Sequence, residues 1–420
     1  MSVELSAAAV EAAAEVLGPV VLRTPLEHSP RLSELLGVEV HLKRENRQIA
    51  RSYKVRGAFH AISRLTDTER ERGVVCASAG NHGQGVAWSC ARLGIHARVY
   101  VPGNTPRQKR QRIASLGGEH VELVVVGSTY DEAGAAARAD AEATGAVFVH
   151  PFDDPATIVG QGTVAIEVMA QAAEAGIDVG TVVVPVGGGG LISGMALWLA
   201  EQHPDVRVVG VEPAGAASMS AALAAGAPVR LTEVDTFVDG AAVGLAGSTT
   251  FEVIQRLVPE VARVEEGAVC TEMLELYQVD GIITEPAGAL ASTWAAASRP
   301  GERGSGAVVC IVSGGNNDVS RYAEIVERSA LHEGLRHYFL VTFPQEPGAL
   351  RHFLEDVLAD GEDIVHFEYV KKNNRETGPA LVGIEIDSAS LLGPLLERME
   401  SSRLTIERIP PGSPLFTFLA

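Results

Sequence analysis

The chain has 420 residues, 46% hydrophobic and 21% charged, with 53 acidic against 34 basic side chains and a formal net charge of −19. That length exceeds one ordinary core and calls for about two or three packed units. The acidic balance excludes a general affinity for polyanions, so neither nucleic acid nor an anionic membrane is an expected partner.

The N-terminal segment SVELSAAAVEAAAEVL is acidic and amphipathic, where a secretory leader is basic and then uniformly apolar. Nowhere do ~20 apolar residues run together, so a cytoplasmic protein is expected. From about Val38 to Val312, short apolar runs (VEVHLK, GVVCA, ARVYV, VELVVV, VFVHP, TVVVP, VRVVGVE, AVVCIV) alternate with stretches of helical period at 58–65, 83–93, 106–116, 128–144, 164–175 and 191–201. This alternation predicts parallel sheets with crossover helices, and ligand chemistry at the carboxyl ends of the strands. Cys76, Cys90, Cys270 and Cys310 follow no metal-binding spacing and are expected as buried free thiols. After Asn317 a charged helical stretch over 319–335 leads into HYFLVTFPQEPGALRHFLEDVL, DIVHFEYVKK, ALVGIEID, LLGPLLERMESS and TIERI. This tail reads strand, helix, strand, strand, helix, strand, with a hairpin at NNRETG, Pro347 in a first helical turn and a domain boundary near Arg336.

Four segments carry chemistry. In RSYKVRGAFHAI, Lys54 stands at the mouth of a helix with Gly57 close behind, and confinement there lowers an amine's pKa until it becomes a nucleophile. Taken alone, a lysine flanked by Arg51 and Arg56 also reads as a solvated surface residue. In CASAGNHGQGVAWS a strand runs into small residues and then a helix, whose free amides suit a carboxylate. Ser78, Asn81 and His82 are possible side-chain donors there, although an ordinary capped turn has the same look. In TVVVPVGGGGLISG, Gly187, Gly188, Gly189 and Gly190 let the backbone approach a ligand, and the following helix offers its positive end to phosphate. The spacing is neither the dinucleotide GxGxxG nor a P-loop. VVCIVSGGNND places Ser313 at a strand end facing the same crevice, in a turn that also needs Gly314 and Gly315 for backbone reasons.

SYKVRGA, SAGNHGQG, GGGGLISG and SGGN, in this order and at these separations, resemble the fold-type II pyridoxal-phosphate enzymes of the threonine and serine dehydratase group over residues 1 to about 330. The resemblance implies an α/β fold of the tryptophan synthase β kind. It would comprise two doubly wound parallel-sheet subdomains in a catalytic domain over 1–330, the smaller (about 50–145) inserted in the larger. It implies that Lys54 carries pyridoxal 5′-phosphate, that Asn81 bonds its phenolic oxygen, that Gly187 to Gly190 with Leu191 hold the phosphate, and that Ser313 faces the pyridine nitrogen. Ser78, Asn81 and His82 then receive the substrate carboxylate beside Ala79. Related racemases carry serine at the Ala79 position, and alanine has no proton to give, so elimination is expected over racemisation. A hydroxyl at the pyridine nitrogen points the same way, and Lys54 is the expected base for the α-proton.

Some relatives bind a cation beside a VEP segment like that of Glu212, but Ala216 and Ser218 stand where a second carboxylate is expected, so no metal is predicted. Gly240 in FVDGAAV and Glu285 in TEPAGA resemble segments near the cofactor, although a buried glycine turn or a helix-capping glutamate would look the same. The tail over 337–420 resembles the α+β ACT-like regulatory domain of biosynthetic threonine dehydratases, mainly through EPGAL at 346–350. The implied activity is conversion of L-threonine, with L-serine a weaker substrate, to a 2-oxo acid and ammonia. Isoleucine is the implied inhibitor, valine its opponent, and a homotetramer the implied assembly. Two rival readings are a degradative or broader dehydratase without isoleucine control, and a catalytically inactive amino-acid-binding regulator. The second expects an eroded Lys54 or glycine loop, and both are intact.

Overall fold

The computed structural model describes residues 3–298, 305–369, 376–410 and 413, and the chain divides into two units, Met1–Asp318 and Val319–Ala420. The first unit opens with α1 (Ala7–Leu17), whose buried Ala7, Val10, Ala13 and Leu17 recur at helical spacing. It continues through β1 (Leu26–His28), α2 (Pro30–Leu36) and β2 (Val40–Lys43). Next come α3 (Lys54–Ser63), α4 (Asp67–Arg72), β3 (Val74–Ala77), α5 (Asn81–Leu93), β4 (Ala97–Val101), α6 (Arg107–Gly117), β5 (Val121–Val125), α7 (Tyr130–Thr144) and β6 (Val147–Phe148). Strands β3 to β6 form a parallel sheet in the order β5-β4-β3-β6.

The chain then returns through α8 (Pro155–Ala175), β7 (Val179–Pro185), α9 (Gly190–Gln202), β8 (Arg207–Pro213), α10 (Ser218–Ala225), α11 (Ser248–Leu257), β9 (Glu260–Val264), α12 (Glu266–Gln278), α13 (Pro286–Ala297) and β10 (Ala307–Ile311). These strands join β1 and β2 in a six-stranded sheet ordered β1-β2-β10-β7-β8-β9, parallel except for β1. Both sheets lie between helices, which is why β3, β7 and β10 read as continuous apolar runs.

Several boundaries differ from the sequence expectation. The helix expected from 164 begins at Pro155, capped by Asp154, and the one expected from 58 begins at Lys54 itself. The strand β9 in EVARV went unread, because Glu260 and Arg263 break its apolar run and only Val264 of it is buried. All four cysteines are free and buried. Helix α8 packs against both α3 and α9 through glycines: a Cβ on Gly160 would lie 2.8 Å from Gly57 Cα, and one on Gly162 2.5 Å from Gly194 O. Arg56, read above as flanking a solvated lysine, is 1% exposed. It pairs with Glu45 at 2.8 Å and Glu167 at 2.7 Å, and Glu167 also holds the buried Lys43 at 2.6 Å.

The second unit holds α14 (Tyr322–His332), β11 (Arg336–Pro344), α15 (Ala349–Asp356), β12 (Glu362–Tyr369), β13 (Thr377–Ile386), α16 (Leu392–Ser401) and β14 (Thr405–Ile409). Its antiparallel sheet runs β12-β13-β11-β14. Phe339, Val341, Phe343, Val382 and Ile384 pack from the sheet against Phe353, Leu395 and Met399 of α15 and α16. The element order is the one expected from the tail. Pro347 lies outside the helix, because Gly348, with a left-handed φ of 95°, is the cap residue ahead of α15. The hairpin expected at NNRETG falls partly on residues 373–375, outside those described.

Candidate active site

Lys54 is the first residue of α3, and the chain reaches it through a constrained turn. Arg51 holds a left-handed φ of 53°, a conformation that a non-glycine residue keeps only when its surroundings enforce it. Here Gly315 N donates to Arg51 O at 2.8 Å, Ser52 bridges to Gly314, and Tyr53 N donates to Ser313 O at 3.2 Å. The SYK and SGG segments are thereby stitched together. One turn further on, Gly57 N donates to Gln161 Oε1 at 3.0 Å, an approach to α8 that any Cβ would block. Lys54 Nζ lies 5.3 Å from the centre of the Tyr53 ring and donates to Pro151 O at 2.9 Å. Burial lowers the pKa of this amine to about 8 against the opposing pull of Glu285.

Beyond β3, Ser78, Ala79 and Gly80 lead into α5, which starts without a side-chain cap, so the leading amides are left for another partner. Ser78 Oγ accepts from Gly80 N at 3.3 Å. His82 Nε2 lies 2.8 Å from Val149 O, while its Nδ1 is buried without a partner. Burial, reinforced by Lys54, depresses its pKa to about 3, so the ring is neutral. The Nε2 proton is committed to Val149 O, which leaves Nδ1 with only a lone pair. The side-chain donor expected of His82 is therefore not available to an anion, and its backbone N–H is.

The glycine turn links β7 to α9. Gly189 has a left-handed φ of 89° and caps α9 without a side chain. A Cβ on Gly188 would meet the Phe152 ring at 2.2 Å, and one on Gly190 the Phe152 backbone at 3.0 Å. From the other side, Thr250 Oγ1 donates to Gly188 O at 2.7 Å. Leu191 follows, buried. The segment 150–154 that presents Phe152 escaped the sequence reading. His150 Nδ1 accepts from Asp153 N at 2.8 Å, Pro151 O receives Lys54, and Asp153 accepts from Ser248 N and Thr249 N, both at 2.9 Å, to cap α11. Asp154 caps α8 by accepting from Thr157 N at 2.8 Å. Only the last was legible, as an aspartate before a helix-opening proline.

Ser313 is buried, its hydroxyl donating to Ala287 O at 3.2 Å. Glu285 occupies the cap position of α13 but makes no side-chain cap bond. Its Oε1 instead accepts from Asn81 Nδ2 at 2.5 Å. Asn316 Nδ2 donates to Asn81 Oδ1 at 2.6 Å and to Ala50 O at 2.8 Å. Gly314 makes room for this carboxyl, since a Cβ there would lie 1.9 Å from Glu285 Oε1, whereas one on Gly240 would instead meet Ala287 Cβ at 2.8 Å. Burial first, and then the charge of Asp239, raise the pKa of Glu285 to about 7. Glu212, by contrast, is a helix cap: its carboxylate accepts from Met219 N at 2.7 Å, Ser220 N at 2.8 Å and Ser220 Oγ at 2.7 Å at the start of α10. Among the described residues, no group of three or more His, Cys, Asp or Glu side chains is placed to hold a metal ion.

The site thus brings together one half-buried amine, two helix N-termini without side-chain caps and a buried hydroxyl. One anion seat of glycine amides and a second at α5, with the amine between their supporting segments, form a donor set that fits a phosphorylated pyridine aldehyde and an amino-acid carboxylate.

A family model described as pyridoxal-phosphate dependent enzyme matches residues 17–314, and one described as the C-terminal regulatory domain of threonine dehydratase matches 327–419. The L-threonine dehydratase biosynthetic IlvA of Mycobacterium tuberculosis is 56% identical over 419 residues, covering 99% of this chain and 96% of the relative. Among solved structures, the processed form of threonine deaminase isoform 2 from Solanum lycopersicum superposes with a TM-score of 0.71 at 36% identity, covering 77% of this chain and 93% of that one. Maize serine racemase superposes with a TM-score of 0.70 at 31% identity, covering 78% and 98%. With both family models matched and more than half of its residues shared with a full-length relative, the chain belongs to the pyridoxal-phosphate-dependent enzymes and, within them, to the biosynthetic threonine dehydratase family.

Proposed function

We propose that this chain converts L-threonine to 2-oxobutanoate and ammonia, the first step of isoleucine biosynthesis, with pyridoxal 5′-phosphate held by Lys54. One observation carries the reading. The Lys54 amine lies 2.9 Å from Pro151 O, and the next residue, Phe152, walls the glycine turn. Amine and phosphate seat therefore share one strip of chain.

In this reading the amides of Gly187 to Gly190 and Leu191, at the positive end of α9, take the phosphate. Asn81 meets the phenolic oxygen and Ser313 the pyridine nitrogen. The opening of α5, with Ser78, Ala79, Asn81 and His82, receives the substrate carboxylate. When bound, the cofactor accepts the electron pair left at the substrate Cα. Lys54 Nζ, displaced by the substrate amine, removes the proton from Cα, and its lowered pKa keeps a useful fraction neutral near physiological pH. Ser313, its hydroxyl turned away from Ala287 O, offers the ring nitrogen a hydrogen bond rather than a full proton, which favours prompt departure of the β-hydroxyl over return of the α-proton. Ala79 supplies no acid to the opposite face, which separates this site from a racemase.

We assign 1–330 to catalysis, with a smaller subdomain over about 50–145, and 337–420 to an ACT-like domain that senses isoleucine as inhibitor and valine as its opponent. The match of 327–419 to a regulatory-domain model supports that assignment. L-Serine is the weaker substrate, the assembly a homotetramer and the location cytoplasmic. No described helix is long and apolar enough to cross a membrane. The test is the visible absorbance of purified protein followed by a 2-oxo acid assay with threonine and serine. Lys54→Ala should lose both signals, and normal turnover in that variant would refute the assignment.

A further inference from the structure

The carboxamide of Asn81 is held at both ends. An asparagine side chain presents an oxygen and a nitrogen of nearly equal shape, and its neighbours decide which way it points. Here the decision starts at a group that cannot turn round. Ala50 O is a backbone acceptor, so the Asn316 group facing it at 2.8 Å must be the amide nitrogen. That same nitrogen lies 2.6 Å from Asn81, which must therefore present its oxygen. The Asn81 nitrogen is then turned to Glu285 Oε1 at 2.5 Å. Only one of its two N–H groups is used there. The other remains, and it has a single possible sign: it donates.

The chain of bonds is built into the fold rather than resting on it. Glu285 is 4% exposed. The position of its carboxyl demands glycine at 314, where a Cβ would come within 1.9 Å of Oε1. The charged and titratable groups around it are Asp239 and Lys109 from one side and Lys54 and Tyr53 from the other. Of the groups that hydrogen-bond to it, Asn81 and the backbone of Asn316, Asn81 is the one whose side chain faces the ligand in that reading.

We propose that Glu285 and Asn316 are positioning residues: together they clamp the Asn81 carboxamide so that its free N–H is presented to the phenolic oxygen of the bound cofactor as a donor. The inference rests on the cofactor reading given above and deepens it. A donor at that oxygen stabilises its ionised form, and a flipped amide would present a lone pair and disfavour it. A hydrogen bond to a charged oxygen is worth ~1.5 kcal/mol or more, about tenfold in the balance between ionised and neutral forms.

The readout is the absorbance of the holoenzyme at fixed pH, as the ratio of the long-wavelength band of the ionised ring oxygen to the short-wavelength band of the neutral one. Asn316→Ala and Glu285→Ala should each lower that ratio by about tenfold. Glu285→Gln, which keeps an acceptor, should hold it near the parent value. A purely structural role would weaken retention of the cofactor and leave the ratio of the bound fraction alone. An unchanged ratio in either alanine variant overturns the clamp, as does a fall in Glu285→Gln equal to that in Glu285→Ala. A parent protein with no visible band overturns the cofactor reading instead, so the two failures are distinguishable. If Glu285→Ala does not fold, Asn316→Ala judged against Glu285→Gln decides the matter.

Discussion

Lys109 in α6 and Asp239 in the loop ahead of α11 pair at 2.6 Å, joining the β4–β5 crossover of the four-stranded sheet to the β8–β9 crossover of the six-stranded one. Their side chains are 20% and 38% exposed, so the pair itself is worth ~1 kcal/mol at most. Its larger effect falls on Glu285, whose ionisation Asp239 opposes and Lys109 assists. Asp239→Asn should therefore let Glu285 ionise at lower pH, and Lys109→Ala should delay ionisation to higher pH. The pH at which the protonated Glu285 carboxyl band leaves the infrared difference spectrum, assigned by its loss in Glu285→Gln, should move down in the first variant and up in the second. Movement in one common direction would break the electrostatic link between this pair and Glu285.

Glu285 also makes a prediction about stability. Its pKa in the folded chain is raised to about 7. Below the unfolded value of about 4.5 both states hold the proton and nothing is lost. As pH climbs towards 7 the unfolded chain releases the proton first, and the native state loses ground until the folded carboxyl ionises too. Glu285→Gln escapes this loss, so relative to the parent it should gain ~1 to 3 kcal/mol between pH 5 and 8.5. Urea denaturation of cofactor-free protein at the two pH values measures it. Parallel losses in both proteins would contradict the buried charge.

Gly57→Ala places a methyl 2.4 Å from Gln161 Nε2 and 2.6 Å from Thr157 O. The second neighbour is backbone, so α3 must move. A loss of ~2 to 4 kcal/mol is expected, with weaker cofactor retention because Lys54 heads the same helix. Denaturation midpoint and visible absorbance should fall together.

Arg56 is enclosed by Glu45 and Glu167. Arg56→Met alone strands the 0% exposed Glu45 and should cost ~3 to 5 kcal/mol. Arg56→Met combined with Glu45→Gln should recover much of that. A double variant as damaged as the single one would mean that packing, not charge, dominates.

The second unit has a core of its own, built on Phe339, Phe353 and Val382. Removing the residues after Leu335 should leave threonine turnover in place and abolish the response to isoleucine. Persistent inhibition in the truncated protein would relocate the effector site.

Sequence alone singled out Lys54, Asn81, the 187–190 turn and Ser313 as candidates, because glycine and small residues between a strand and a helix leave a readable pattern. It also flagged Gly240 and Glu285 without deciding their roles. Residues that act through backbone carbonyls or ring faces left no such pattern. Pro151 contributes its carbonyl oxygen and Phe152 its backbone and a flat ring face, and such functions are open to many residues on paper. Asn316 was hidden for another reason: its meaning depends on Ala50 and Asn81, far away in the chain. The side chain of His82 was over-read, because a helix-opening histidine looks like a donor until Val149 O is found on its Nε2.

The strip from His150 to Asp154 assigns its last four residues to four separate neighbours, the Lys54 amine, the glycine turn and the starts of α11 and α8. Such a strip works like a key whose teeth are cut in fixed sequence. Individual teeth can be reshaped, and Phe152 could give way to another flat side chain. Adding or removing a single residue would advance every tooth to the wrong ward at once, so length is the property of this segment that natural variation is least free to alter.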